Sequence, residues 1–255
     1  MGWTQKSRFW PALLRWGFLV ALAMLALQLF FLLRIVCMHV LDPQSTAFER
    51  SQAWQLLTHP EKPWEWQQHW VPYEKLSDHL KRAVIASEDS DFIYHGGVEW
   101  EAVEKAWQHN NKAQTRSSAQ NTVDRRKGKS KAPKIIGGST ITQQLGKNLF
   151  LSGERNWLRK SQELVLTMTL ELFLSKQRIL EIYLNSVEWG EGVFGAQAAA
   201  QHYFGKSVDQ LSSYEAARLA VMLPRPKYFE KQPNTAYLNQ RAQTILARMG
   251  DAELP

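Results

Sequence analysis

The sequence predicts a mostly α-helical protein, with one N-terminal transmembrane helix followed by a single helical domain. A long apolar stretch lies near the N-terminus. From Ile141 onward, apolar residues recur at helical spacing and no alternating pattern is long enough to indicate a strand. The length of 255 residues allows one domain and a small appendage.

The apolar stretch sets the domain boundaries. It reaches about 25 residues, enough to cross a bilayer with some tilt, and basic residues before it place the N-terminus in the cytoplasm. A cleaved signal peptide is the alternative, but the stretch is longer than a usual signal and Cys37-Met38-His39 is a poor cleavage site. We therefore predict a cytoplasmic segment at 1–15, an anchor at 16–41, a connector at 42–72 and a domain at 73–250.

Charge and composition favour anionic partners. The net charge is +7, which suits nucleic acid, acidic lipid headgroups or phosphorylated substrates. The single cysteine, Cys37, cannot form an intramolecular disulfide and therefore says little about the redox compartment. Eleven tryptophans fit either a core or a membrane interface.

The connector and the start of the domain carry two helical signals and one long basic segment. A short helix is predicted near Phe48 to Leu57, and a second over Leu76 to Ser87. The segment around 110–134 is basic and nearly free of large apolar residues, which predicts a flexible insertion. It is either a solvated linker or a loop that binds anionic headgroups or phosphates.

A glycine-rich stretch then leads into a helix. Gly137 and Gly138 permit close approach to a ligand, and Thr140 with Gln143 forms a capping-box pattern. The helix entrance, with Lys147 one turn further on, suits an anion, although an ordinary capped surface helix has the same pattern. The later helices are predicted at Trp157 to Leu174, Ser175 to Leu184, Ala196 to Tyr203, Ser213 to Leu223 and Thr235 to Met249.

Two adjacent acids, Glu88 and Asp89, directly follow the helix predicted over Leu76 to Ser87 and could act in catalysis. If Glu88 or Asp89 lies against apolar residues, its pKa rises, which suits a general base; a helix-terminal acid pair is the simpler interpretation. Asp89-Ser90-Asp91 also has the D-x-D form of many nucleotide-sugar transferases. Those enzymes need a parallel-sheet domain, and the chain has no βαβ alternation, so no nucleotide cofactor is expected.

A cluster of cations precedes a third acid. On a helix, Arg159 and Lys160 lie four and three residues before Glu163 and share its face, and Arg155 stands just upstream. The cluster is either an intrahelical salt bridge, worth about 0.3–0.5 kcal/mol, or a site that stabilises a pyrophosphate leaving group.

Taken together, these patterns resemble the successive motifs of the peptidoglycan glycosyltransferase family, from about Trp70 to Pro226. The N-terminal anchor and the lack of a following transpeptidase domain resemble the monofunctional biosynthetic transglycosylases, which are similar to the glycosyltransferase domain of class A penicillin-binding proteins. The main departure from the family's pattern is the basic insertion, which is longer than expected. The matching segments are Glu88-Asp89-x-x-Phe92-x-x-His95-x-Gly97, Gly137 to Asn148, Arg159-Lys160-x-x-Glu163, Arg178 to Asn185, Gly195 to Lys206 and Glu215 to Pro226.

The resemblance implies a lysozyme-like, two-lobed helical domain that lies partly in the membrane and polymerises lipid II. Glu88 would be the general base, and the oxygen it deprotonates would attack with inversion to give a β-1,4 bond. Glu163 would be the second catalytic residue, with Asp89, Phe92 and His95 in support. The pyrophosphate and sugars would be bound by Ser139, Thr140, Gln143, Gln144, Lys147, Asn148, Arg155, Arg159 and Lys160.

The resemblance also implies the setting. The protein would cross the inner membrane once, with a periplasmic catalytic domain, and a divalent cation, Mg²⁺ or Mn²⁺, could act through Glu163. Its partners would be lipid II, the growing glycan strand, membrane lipids and other cell-wall synthesis or division proteins, and no nucleic acid. The alternatives are a lysozyme-like enzyme that cleaves glycan and a non-enzymatic membrane scaffold.

Overall fold

The computed structural model describes residues 6–58, 66–101, 104, 139–151 and 156–255, and this part of the chain is mostly helical. The predicted basic insertion, Gly137, Gly138 and Arg155 lie outside the described residues. In chain order the elements are α1 (Lys6–Cys37), α2 (Ala47–Thr58), β1 (Gln67–Gln68), α3 (Asp78–Glu88), α4 (Ile141–Phe150), α5 (Trp157–Phe173), α6 (Lys176–Ser186), β2 (Glu188–Gly190), β3 (Val193–Phe194), α7 (Ala196–Phe204), α8 (Ser213–Met222), α9 (Pro226–Glu230) and α10 (Ala236–Arg248), with 3₁₀ turns at Tyr73–Lys75 and Val208–Gln210.

The N-terminal helix α1 has the length and composition of a membrane span over Pro11–Cys37, and its apolar window is almost wholly exposed. The helix begins at Lys6, about three turns before the predicted start of the anchor at residue 16. It ends at Cys37, after which the chain turns: the amide of Leu41 donates to the Cys37 carbonyl over 2.9 Å.

Helix α4 is packed between α5 and α6. Its predicted capping box is confirmed: the Gln143 amide donates to Thr140 Oγ1, and the Thr140 amide donates to Gln143 Oε1. Ile141, Leu145 and Leu149 are fully buried. The helical spacing of these apolar residues therefore places α4 at the centre of the domain, and the simpler interpretation of a surface helix is wrong.

A second group of helices forms the other side of the core. Helix α3 packs against α8, and α8 packs against α10. Leu80, Val84 and Ile85 of α3 are buried at helical spacing, as the sequence predicts. The buried apolar residues of both groups belong to one connected cluster, so α3 holds its last residue, Glu88, against the body of the domain.

A small sheet, which the sequence analysis does not predict, joins the connector to the domain. Its strand order is β1-β3-β2; β1 pairs with β3 in parallel, with Gln67 opposite Val193, and β2 pairs with β3 antiparallel. Strands of two or three residues are too short to show an alternating pattern. The parallel pairing also joins segments far apart in the sequence, which no local pattern reveals.

Candidate active site

Glu88 is the last residue of α3 and faces α4. Gln144 Nε2 donates to Glu88 Oε2 over 2.8 Å. The hydroxyl of Tyr183, on α6, donates to Gln144 Oε1 over 2.9 Å, which fixes the orientation of the amide. Three helices therefore contribute one hydrogen-bonded chain that ends on the Glu88 carboxylate.

The surroundings of Glu88 favour its protonated form. Burial raises the pKa of the Glu88 carboxyl above its usual range, while the hydrogen bonds from Gln144 and Ser87 and the charge of Arg241 act in the opposite direction. Burial also raises the pKa of the Tyr183 hydroxyl well above its usual value. Tyr183 therefore keeps its proton and remains a donor, and Glu88 has the character of a carboxylate that accepts a proton readily.

Asp89 is committed to a different set of partners. Its Oδ2 accepts the amide of Ile141, the first residue of α4, over 2.9 Å, and its Oδ1 lies 2.7 Å from His95 Nε2. The amide of Gly97 donates to His95 Nδ1 over 3.1 Å. His95 must then carry its proton on Nε2 and donate it to Asp89. Of the two adjacent acids, only Glu88 is left to serve as a base.

The turn after α3 is closed against α4 and α5. Thr140 Oγ1 donates to the Gly97 carbonyl over 2.6 Å. Phe92 is fully buried, and the ammonium of Lys176 lies 4.5 Å from the centre of its ring. Thr140, Phe92 and His95 thus hold the turn beside Glu88, which is a supporting arrangement.

Glu88 lines a cavity of about 490 Å³. Ser139 is exposed and Thr140 is buried at its edge. Sequence reasoning missed the side of the cavity that α10 and the C-terminal segment supply, because it belongs to no motif and only the packing of α10 brings it to Glu88. The remaining lining residues are Ala86, Ser87, Asp89, Ser90, Glu99, Arg248, Asp251 and Ala252.

The predicted cation cluster is present on α5. Arg159 Nη1 donates to Glu163 Oε2 over 2.7 Å, and the ammonium of Lys160 contacts Glu163 Oε1. Glu163 is buried, whereas the Lys160 side chain is about half exposed. Arg159 Nε is buried and has no partner among the described residues. The predicted intrahelical salt bridge is thus present.

Helix α4 contacts both carboxylate-bearing helices. Gln144 faces Glu88, while Gly146 packs against Leu166 and Thr167 of α5. The ammonium of Lys147 lies 5.7 Å from the ring centre of Phe48, on α2. Two of the remaining predicted residues also lie on this helix: Gln143 is buried in the capping box and Asn148 is half-buried.

Comparison with known proteins agrees with this arrangement. The family model described as Transglycosylase matches residues 60–250, well over half of the chain. Three relatives named "Biosynthetic peptidoglycan transglycosylase" come from Herminiimonas arsenicoxydans, Paraburkholderia xenovorans and Burkholderia thailandensis. They are 51%, 47% and 50% identical to this chain, covering 95%, 96% and 94% of it and 97%, 96% and 86% of their own lengths. The chain therefore belongs to the transglycosylase family and is a peptidoglycan glycosyltransferase.

Proposed function

We propose that this protein polymerises lipid II into linear glycan strands and releases undecaprenyl pyrophosphate. Family membership supports glycan-strand polymerisation in cell-wall synthesis. The observation that carries the mechanism is the Glu88 carboxylate, which is half-buried, lines a cleft and is held by Gln144.

Glu88 is the general base. It takes the proton from the 4-hydroxyl of the acceptor sugar, and that oxygen forms a bond to the anomeric carbon of the growing strand. The bond from the same carbon to the pyrophosphate oxygen breaks on the opposite face, giving a β-1,4 linkage with inversion. A carboxyl with a raised pKa is suited to accept this proton near neutral pH.

The leaving pyrophosphate is bound by the cations around Glu163. Arg159 and Lys160 contact this carboxylate directly. We assign Lys147 and Arg155 to the same pyrophosphate-binding group of cations. Pyrophosphate is a good leaving group, so cations directed at it can replace the acid that a glycosidase needs. Glu163 keeps the guanidinium and ammonium groups oriented.

The entrance of α4 binds the sugar and phosphate portions of the substrate. Ser139 and Thr140 line the Glu88 cavity, and Gln143 fixes the first turn of α4 through the capping box. We assign Asn148 to the same substrate-binding face of α4, and Asp89, Phe92 and His95 to supporting the turn beside the base.

A divalent cation, Mg²⁺ or Mn²⁺, would be held only together with the substrate. Among the described residues there is no group of three side chains able to hold a metal ion, and both oxygens of Glu163 already accept from cations. Mg²⁺ is often held by one carboxylate together with substrate phosphates. Glu163 could be that carboxylate only together with the substrate pyrophosphate. A cation held there would offset the negative charge of the pyrophosphate.

The proposed membrane location and topology rest on α1. We propose a single-pass protein of the inner membrane, with a cytoplasmic N-terminus and a periplasmic catalytic domain, because basic residues precede the span. Its partners are then lipid II, the glycan strand, membrane lipids and other cell-wall synthesis or division proteins, and no nucleic acid.

The test is polymerisation of purified lipid II by the full-length protein. Glu88→Gln is expected to abolish strand synthesis while leaving the thermal unfolding curve unchanged, because the amide cannot accept the proton. Polymerisation by this variant at the wild-type rate would refute the assignment of the base. A parallel reaction with a chelator measures the contribution of a divalent cation.

Two further assays separate the alternatives. Cleavage of finished glycan in the absence of lipid II would favour a lysozyme-like hydrolase. Normal complementation in cells by a Glu88→Gln, Glu163→Gln double variant would favour a scaffold. The proposed function predicts neither result.

A further inference from the structure

The membrane helix α1 has a sharp change in exposure along its length. Every residue from Pro11 to Leu27 is exposed, and Gln28 is the first that the domain shields. Beyond it, Ile35 and Met38 are buried in the core cluster. The segment before Gln28 is thus free to contact lipid, whereas the segment after it is a packing element of the domain.

Gln28 is paired with a glutamine of the catalytic domain. Gln28 Nε2 donates to Gln162 Oε1 over 2.7 Å, and Gln162 Nε2 donates to Gln28 Oε1 over 3.2 Å. A lone glutamine side chain on a membrane helix leaves polar groups unsatisfied, and a reciprocal amide pair satisfies one donor and one acceptor on each side. Gln162 directly precedes Glu163, so the pair joins the membrane helix to the helix that carries the cation cluster.

Helix α5 runs in the same direction as α1. Gln162 is level with Gln28, and Arg178, just beyond the end of α5, donates from Nε to the Met38 carbonyl over 2.8 Å. The start of α5 therefore points towards the membrane, and its first residues, Trp157 and Leu158, are strongly exposed. Such side chains suit the membrane interface.

We propose that Gln28 is a positioning residue for glycosyl transfer. Through Gln162 it holds the start of α5, and with it the cluster formed by Arg159, Lys160 and Glu163, against the membrane helix, which keeps the cluster near the membrane interface where the pyrophosphate of a membrane-anchored substrate lies. The inference rests on the proposed function for the identity of the substrate. It adds a reason for a polar residue in the anchor, which the chemistry itself does not use.

The first test compares Gln28→Leu with wild-type protein in liposomes and in detergent micelles, with lipid II as substrate. In liposomes the KM is expected to rise about threefold to thirtyfold, the effect of losing an interhelical polar contact such as this amide pair in a membrane, with little change in kcat. Micelles impose no fixed bilayer height, so there the variant should match wild type. Gln201→Leu, the same change at an exposed position of α7, serves as the control.

The second test locks the contact. Gln28→Cys with Gln162→Cys, in a Cys37→Ser background that removes the native cysteine, is expected to be joined by a short bifunctional thiol cross-linker that spans the space of the two removed amides, and to keep polymerising in liposomes. A wild-type KM for Gln28→Leu in liposomes, an equal loss in both media, or inactivity of the locked protein would overturn the proposal. Wild-type protein unable to polymerise lipid II would instead refute the proposed function, and failure of the two cysteines to cross-link would still refute the docking.

Discussion

Gln144 shows how a single amide can tune the pKa of Glu88, the proposed base. It donates to the Glu88 carboxylate, a bond that stabilises the charged form, and burial acts in the opposite direction and dominates. Because Tyr183 holds the other end of the amide, Gln144 cannot flip to present its oxygen to Glu88. The pKa of Glu88 is therefore set by a balance that one substitution can change.

Gln144→Leu is expected to raise the pKa of Glu88 further. The base acts when ionised, so the acidic limb of the pH profile of kcat/KM should move to higher pH. A hydrogen bond to a charged group contributes about 1.5–3 kcal/mol, which corresponds to a shift of about one to two pH units. Tyr183→Phe removes only the second bond and should give a smaller shift in the same direction. An acidic limb that does not move in Gln144→Leu would contradict the role of this amide.

At the scale of residues, the sequence predicts contacts between residues that are close in the chain but not between residues that are distant in it. The bond between Thr140 and Gln143, like the cluster of Arg159 with Glu163, joins residues three or four apart on one helix, where spacing determines contact. The bonds of Gln144 to Glu88 and Tyr183 join three helices, and no periodicity relates them. Glu88 is proposed as the base from the adjacent acids and the family resemblance, but the residues that orient its carboxylate emerge only from packing.

At the scale of elements, the turn after α3 depends on close contact with α5. Gly97 has φ +85°, and a Cβ there would lie 2.7 Å from Glu171 Cγ and from Thr167 Cγ2. Its carbonyl accepts from Thr140 and its amide donates to His95. The glycine is therefore required both by its backbone conformation and by the approach of α5.

Gly97→Ala is expected to lower the free energy of unfolding by about 1–3 kcal/mol, through backbone strain and overpacking. For a chain of this size each kcal/mol lowers Tm by about 2–4 °C. Gly96→Ala is a matched control one residue away, where a Cβ would meet nothing within 4 Å. Thermal unfolding in detergent measures both variants, and equal Tm values for the two would show that the contact with α5 is unimportant.

The helices could be predicted from the sequence because their apolar residues recur at helical spacing and capping residues mark their ends. Ser212 and Glu215 form a capping box at the start of α8, and α8 ends at Met222, one residue before the predicted end. The sheet could not be predicted because β1 and β3 are two residues each and are separated by more than a hundred positions in the sequence. Long-range pairing of short strands depends on the fold already being formed.

At the scale of the whole molecule, one arginine joins the end of the N-terminal helix α1 to the domain. Arg178, on α6, donates to the Met38 carbonyl and pairs with Asp42 over 2.7 Å and with Glu181 over 3.0 Å. Its guanidinium also lies 5.5 Å from the ring centre of Trp70. Hydropathy identifies the anchor, but it contains no information on this attachment.

Arg178→Lys tests whether the attachment needs the guanidinium and not only its charge. An ammonium cannot reproduce the planar fork that serves a carbonyl and two carboxylates together, and the loss is expected to be about 1.5–3 kcal/mol of unfolding free energy. The segment around Met38 and Asp42 should then be cut faster by protease in the full-length protein. Arg218→Lys is the control, since Arg218 donates to the Pro233 carbonyl far from the anchor. Unchanged proteolysis in Arg178→Lys, with the same Tm as the control, would show that packing along α1 alone holds the domain in place.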